Sequence, residues 1–203
     1  MEFLSIILGI PIGIFTSFCV WWLVSKALVP RFVFSDKICR LPSHKENNNR
    51  YIIKIENIGY RRAIDVDVKL EVSIPGLFPD LPHVEHIVFV DLTFNNIVKI
   101  ESRKLLKGKN KVENWWILRI LPQNCKEFGR PIYPANIVSK YKSNTLTLDD
   151  IMNINSYVKV NLILLAYDEF SNARKLYISK DYRASNIVEG YFCEGSMSVI
   201  PRV

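Results

Sequence analysis

Few residues of this chain could do chemistry, and carboxylates lead them. Asp65 and Asp67 stand two apart in an alternating stretch, Asp149 adjoins Asp150, and Asp168 precedes Glu169. Paired carboxylates serve as acid and base, or hold a divalent cation, once burial or a neighbour moves their pKa. Each pair also has a structural reading: a solvated strand face, a helix N-terminus whose dipole favours anions, and a turn. Asp168 stands apart because it ends an otherwise apolar run, "VNLILLAYD".

Metal ligands and nucleophiles are sparser. The histidines are His44, His83 and His86, and Cys39 lies five residues before His44. No C-x-x-C, H-E-x-x-H or G-x-S-x-G motif occurs, nor a glycine-rich phosphate loop. A zinc cage, a dithiol redox pair, a nucleophile elbow and a P-loop are therefore not written here. The expectation is a protein without catalytic residues, metal or cofactor, with a hydrolase of unlinked residues a distant third reading.

The cations are denser. "KIESRKLLKGKNK" places Lys99, Arg103, Lys104, Lys107, Lys109 and Lys111 around a single Glu101, with "KGKN" as the turn of a basic hairpin tip. Arg61 and Arg62 crowd a second turn. These eight are the candidate contacts for an anionic ligand: a lipid headgroup, a small phosphate or, less favoured, nucleic acid. Plain solvated loops are the alternative. Trp115 and Trp116 follow closely. On a strand their rings point to opposite faces, one to the core and one outward, where it could stack a base or sit at a membrane interface.

The elements that must position these residues come next. Ile64, Val66, Val68, Leu70, Val72 and Ile74 alternate with polar residues, the period of a strand with one face buried. "YIIKIEN" (51–57) reads as its hairpin partner across "NIGYRR", with Gly59 supplying a positive φ. Further strands are expected at 31–38, 85–91 and 114–120. Residues 157–168 form a central strand covered on both faces, turning through "DEFSNAR" into 174–182. Thr147 and Asp150 form a capping box for one short helix, and Pro122, Pro131 and Pro134 mark an irregular crossover before it. The fold expected is mainly β: an antiparallel sandwich, or a barrel-like domain, with one short helix.

Ahead of this domain, Phe3 to Val24 carry no charge over 22 residues. As a helix they would extend about 33 Å, enough for a bilayer's hydrocarbon core. Trp21 and Trp22 close the run before Lys26, the aromatic-then-basic order of a membrane interface. Bulky residues stand where a cleaved signal would have small ones, so a retained anchor is expected. Lys26, Arg31, Lys37 and Arg40 follow the run, and none precedes it. By the positive-inside tendency the N-terminus lies outside and the domain in the cytoplasm, at the inner (plasma) membrane. Ser5, Gly9, Gly13 and Ser17 recur every four residues, a face suited to packing on a second helix and hence to a homo-oligomer. The organisation expected is an anchor over 1–25 (span 3–24), a connector and first strand over 26–50, and the β-sandwich over 51–203.

Charge agrees with a membrane setting. The net value is +7, or +8 once Glu2 is assigned to the anchor, and such an excess favours anionic lipid. The cysteines show no framework spacing, as suits a reducing compartment.

"IENIGYRRAIDVDVKLEV" resembles the first hairpin of bacterial β-sandwich domains of the fibronectin or immunoglobulin type. "AYDEFSNARKLYISKDYRASNIVEGYF" is similar to the C-terminal hairpin of small, uncharacterised bacterial single-span membrane proteins. The resemblance implies an anchored sandwich and carries no catalytic residues. Two functions fit it: a binding module that holds a ligand or protein partner at the bilayer, and a membrane-disrupting effector of anti-phage defence, triggered by ligand binding or oligomerisation.

Overall fold

The computed structural model describes residues 2–24, 29–41, 50–78, 80–102, 114–193 and 196–201, and residues 2–8 by their backbone alone. Lys26, His44, residues 46–49, Arg103, Lys104, Lys107, Lys109 and Lys111 lie outside these, as does the side chain of Ser5.

Helix α1 (Glu2–Trp22) comes first. Its side chains from Gly9 to Trp22 are all exposed, and none joins the hydrophobic core. Among the described residues no helix is long and apolar enough to cross a membrane, so the span expected over 3–24 has no support there. Nothing lies within 4 Å of where a Cβ would stand on Gly9 or Gly13. Thr16 donates its hydroxyl to the Ile12 carbonyl at 2.8 Å and so needs no outside partner.

The rest of the chain is mainly β, in two sheets that share one hydrophobic cluster. In the first sheet β3 (Arg50–Asn57) is central. Strand β7 (Trp115–Ile120) runs along one edge of it, and β1 (Phe32–Phe34) and β2 (Ile38–Leu41) lie in tandem along the other. Residues 31–38 were expected as one strand, and Ser35 divides it. Its Oγ takes the Lys54 N–H at 3.2 Å, so a side chain replaces a carbonyl in the ladder. Strand β2 then pairs in parallel with β10 (Ile187–Phe192), which carries β11 (Val199–Pro201).

In the second sheet β4 (Ala63–Pro75) is central. Strand β8 (Lys159–Asp168) occupies one edge and continues to β9 (Arg174–Ile178); β5 (Glu85–Val90) and β6 (Asn96–Ile100) share the other edge. Val68, Leu70 and Val72 of β4 and Leu162 and Leu164 of β8 are fully buried, in one cluster with Ile53, Ile55 and Leu118 of the first sheet. Two inner faces meeting in this way make a sandwich.

Three departures from the sequence reading have local causes. Alternation places Ile64 inward, yet Ala63 is fully buried and Ile64 half-exposed. Asp65 sits at φ 48° and the β4–β8 register shifts between Ile64 and Asp67, so a bulge there reverses the faces. Strand β8 buries Val160, Leu162, Leu164 and Ala166 but leaves Ile163 and Leu165 half-exposed, so one face is core rather than both. Beside the expected helix α3 (Leu148–Met152), closed by its Thr147–Asp150 capping box, there is α2 (Ala135–Lys142). Helix α2 buries Ile137 alone, too little for a visible helical period. Its start after Pro134 and its terminal Lys140 and Lys142 are the signals that mark it.

Candidate functional site

The hairpin expected across "NIGYRR" is a crossover between sheets; "KGKN" lies outside the described residues, and the strands on either side of it also belong to different sheets. Strand β3 lies in the first sheet and β4 in the second; β6 lies in the second and β7 in the first. Arg61 and Arg62 fall on the first crossover, and Lys99 and Glu101 stand at the mouth of the second.

The first crossover is built around Asn57, which is fully buried. Its Oδ1 accepts the Arg31 and Gly59 N–H groups at 3.1 and 2.9 Å, and its Nδ2 donates to the Arg61 carbonyl at 2.8 Å. A Cβ on Gly59 would stand 2.5 Å from the Arg31 nitrogen and the Val29 carbonyl oxygen. Glycine is needed there for close approach and not for the expected positive φ; of the described glycines, Gly76 is the one in the left-handed region.

The chain then delivers Arg61 to the end of β8. Its guanidinium donates to Asp168 Oδ2 at 3.1 Å and lies 4.3 Å over the Phe170 ring. The Asp168 side chain is completely buried, and it also accepts the Ser171 hydroxyl and N–H and the Phe170 N–H. Burial alone would raise this carboxyl, but the bonds from Ser171 and Arg61 hold it below its ordinary value. Arg62 pairs with Glu169 alongside. Three of these bonds fall on Oδ2 and the Phe170 N–H meets Oδ1 at 3.5 Å, so the fold itself supplies a donor to each oxygen of this carboxylate. Asp168 is a lock that holds the crossover to the end of β8.

The second crossover is different. The β5–β6 connection is stitched to the end of β7, where the Thr93 N–H donates to the Arg119 carbonyl and the Leu121 N–H to the Asp91 carbonyl, each at 2.9 Å. Farther along, no pairing joins β6 to β7 among the described residues. The gap is a groove of about 570 Å³ lined by Asn96, Ile97, Val98, Lys99, Glu101, Trp115, Trp116 and Ile117. The Glu101 side chain is 8 % exposed. Its Oε1 takes Lys99 Nζ at 3.0 Å, and its Oε2 has no partner. Neither tryptophan is wholly core or wholly outward. Trp116 packs against the core with its plane set by Phe94, ring centroids 5.7 Å apart at 80°, while Trp115 carries Lys54 Nζ 4.6 Å over its ring. Largely apolar walls with a few polar groups are the usual make-up of a ligand site.

Of the eight cations expected to bind an anion, the three described ones each face a carboxylate: Arg61 with Asp168, Arg62 with Glu169 and Lys99 with Glu101. The remaining carboxylates are structural. Asp149 accepts Arg40 at 2.9 Å and the Tyr51 hydroxyl at 2.6 Å, tying α3 to the first sheet; burial pushes that hydroxyl up to about 12. Asp150 serves the capping box and takes Lys140. Asp65 makes the bulge, and Asp67 lies 3.7 Å from Lys69. His86 bonds the Tyr133 hydroxyl at 2.9 Å. Burial pushes the Cys39 thiol up to about 11, which removes it as a neutral-pH nucleophile.

Among the described residues, no three His, Cys, Asp or Glu side chains stand close enough to hold a metal ion. Sequence reasoning had Glu101 and both tryptophans in view but did not join them, because the signal lies in sheet membership. No family model matches the chain, and no curated protein matches it.

Proposed function

We propose that the chain is a single-pass inner-membrane protein whose cytoplasmic β-sandwich, of the fibronectin or immunoglobulin type, is a module that holds a ligand or partner at the bilayer. The observation that carries this reading is α1. Ile10, Ile12, Ile14, Phe15, Phe18, Val20, Trp21 and Trp22 are each more than half exposed, and none of them joins the hydrophobic core among the described residues. Burying an apolar side chain is worth about 1.5–3 kcal/mol. Leaving eight in water therefore forgoes more than about 10 kcal/mol, comparable to a domain's whole stability. Lipid is the environment that removes this penalty. Lys37 and Arg40 beyond the helix favour the inner leaflet side for the domain, and the β6–β7 groove supplies a place for a ligand.

The test is fractionation of cells expressing the full chain. The protein should sediment with membranes, resist high salt and alkaline carbonate, and dissolve in detergent. Protease added to intact spheroplasts should spare the domain. Release by salt, or digestion of the domain from outside, would sink the reading.

A second reading, the membrane-disrupting effector, is favoured by the open face at Gly9 and Gly13, which leaves room for a second helix. Induced expression should then depolarise cells, and Gly9→Ile with Gly13→Ile should abolish this. Unchanged depolarisation in that variant excludes helix packing as the cause.

A further inference from the structure

The geometry points to an organic cation bearing N–H donors and a flat apolar body as the ligand of the β6–β7 groove, with Glu101 Oε2 as its acceptor and the indoles of Trp115 and Trp116 as its walls. This rests on the reading of the domain as a ligand-holding module and reverses the sign of charge that the basic residues suggest.

Three observations converge on it. Glu101 is more than nine-tenths buried at the groove, with one carboxylate oxygen bonded and the other bare. A buried acceptor left without a donor costs the desolvation free energy of that group, and buried polar groups are as a rule bonded to protein, water or ligand. Lys99 already occupies Oε1 and is itself more than half exposed, while Oε2 is closed from solvent beside the groove, so a ligand's donor reaches it by a turn of the Glu101 side chain. The rings add the third observation. Lys54 covers one face of Trp115, which leaves its other face and edge for a ligand, and Phe94 holds Trp116 edge-on as a fixed platform.

Other occupants fit less well. An anion would meet the Glu101 carboxylate, and Lys99, the cation at the groove among the described residues, is already paired with it. A metal ion would find one carboxylate and no further ligand among the described residues. A neutral alcohol or amide could donate to Oε2, but a charge-assisted bond to carboxylate is roughly twice as strong. The chain's net charge of +7 opposes an approaching cation at long range. That field is screened within about 8 Å at physiological salt, so it weakens the approach without cancelling the short-range pull of the buried carboxylate.

The experiment uses the full chain in detergent micelles with ¹⁵N-labelled tryptophan, assigned with Trp115→Phe and Trp116→Phe. Benzamidine, a planar cation with N–H donors, is compared with benzamide, its neutral counterpart of nearly the same shape. Benzamidine should shift the Trp115 and Trp116 indole signals and bind about tenfold more tightly than benzamide, the least expected of a charge-assisted bond. Glu101→Gln should erase that preference while keeping the parent's melting temperature. Equal binding of the two probes overturns the cation and leaves the groove as a ligand site. Benzamidine binding that is unchanged in Glu101→Gln overturns Glu101 as the acceptor. Binding of neither probe overturns both the cation and the groove.

Discussion

The chain first changes sheets at 57–63 and next between β6 and β7, and at each of these places a cation meets a carboxylate, yet the two pairs are opposites. At the first, Asp168 is fully buried and takes donors from Arg61, Ser171 and Phe170, while Arg61 is itself only 15 % exposed on its side chain. At the second, Glu101 is nearly as buried, but one oxygen has no donor and its cation Lys99 is 56 % exposed. Burial of a charge thus does not by itself define its role. What separates a lock from a site is whether the buried acceptor's lone pairs are taken up by the fold or left over.

The sharpest way to break this contrast is to remove Asp168. Asp168→Ala leaves the Arg61 charge buried and strips the acceptor from the 168–171 turn, so the domain should lose about 3–5 kcal/mol, the range for breaking a buried pair from one side. Urea unfolding of the full chain in micelles, followed by tryptophan fluorescence, measures it. A loss under about 1 kcal/mol would place the pair with ordinary surface ion pairs. The same residue predicts a pH dependence. Its native pKa lies below the ordinary 3.8, so the unfolded chain binds this proton first as pH falls. The stability it contributes is complete above about pH 4 and drains away as pH drops through the lower native value. Asp168→Asn should flatten the acid limb of the stability curve relative to the parent; parallel limbs would show that this carboxyl does not titrate with folding.

The sequence made the strands legible and their sheet membership illegible. The 66–74 part of the alternation and the Thr147–Asp150 box appear where local chemistry puts them, and β9 begins at Arg174 as expected but ends at Ile178 rather than Tyr182. "NIGYRR" looks like a hairpin turn because turn residues flanked by apolar runs look alike whether the next strand pairs with the last or crosses to another sheet. The difference at the first crossover is written in Asn57, which bonds Arg31 and Gly59, and in contacts from Gly59 to residues 29–31. Those partners are close in space and about thirty residues apart in sequence. The groove suffers the same fate twice over: Glu101 reads as the odd anion in a basic run, and it meets the tryptophans only because β6 and β7 end on neighbouring edges of different sheets. The parallel pairing of β2 with β10 spans 149 residues between Cys39 and Val188 and leaves no local signal at all.

The smallest effect expected is the most informative one. Glu101→Leu removes a half-satisfied buried carboxylate and strands only Lys99, whose ammonium is already in water. An apolar residue of similar size next to Ile97 and Trp116 recovers burial that the carboxylate forfeits, so stability should change by less than about 1 kcal/mol, with a gain the favoured direction. Asp168 cannot be replaced in this way, because its loss strands a buried guanidinium and two backbone donors. If Glu101→Leu instead costs about as much as Asp168→Ala in the same urea titration, Glu101 is a second lock. A gain or a neutral result means the fold tolerates a bare acceptor that it could have dispensed with. A residue kept against the interest of stability is the mark of a binding group.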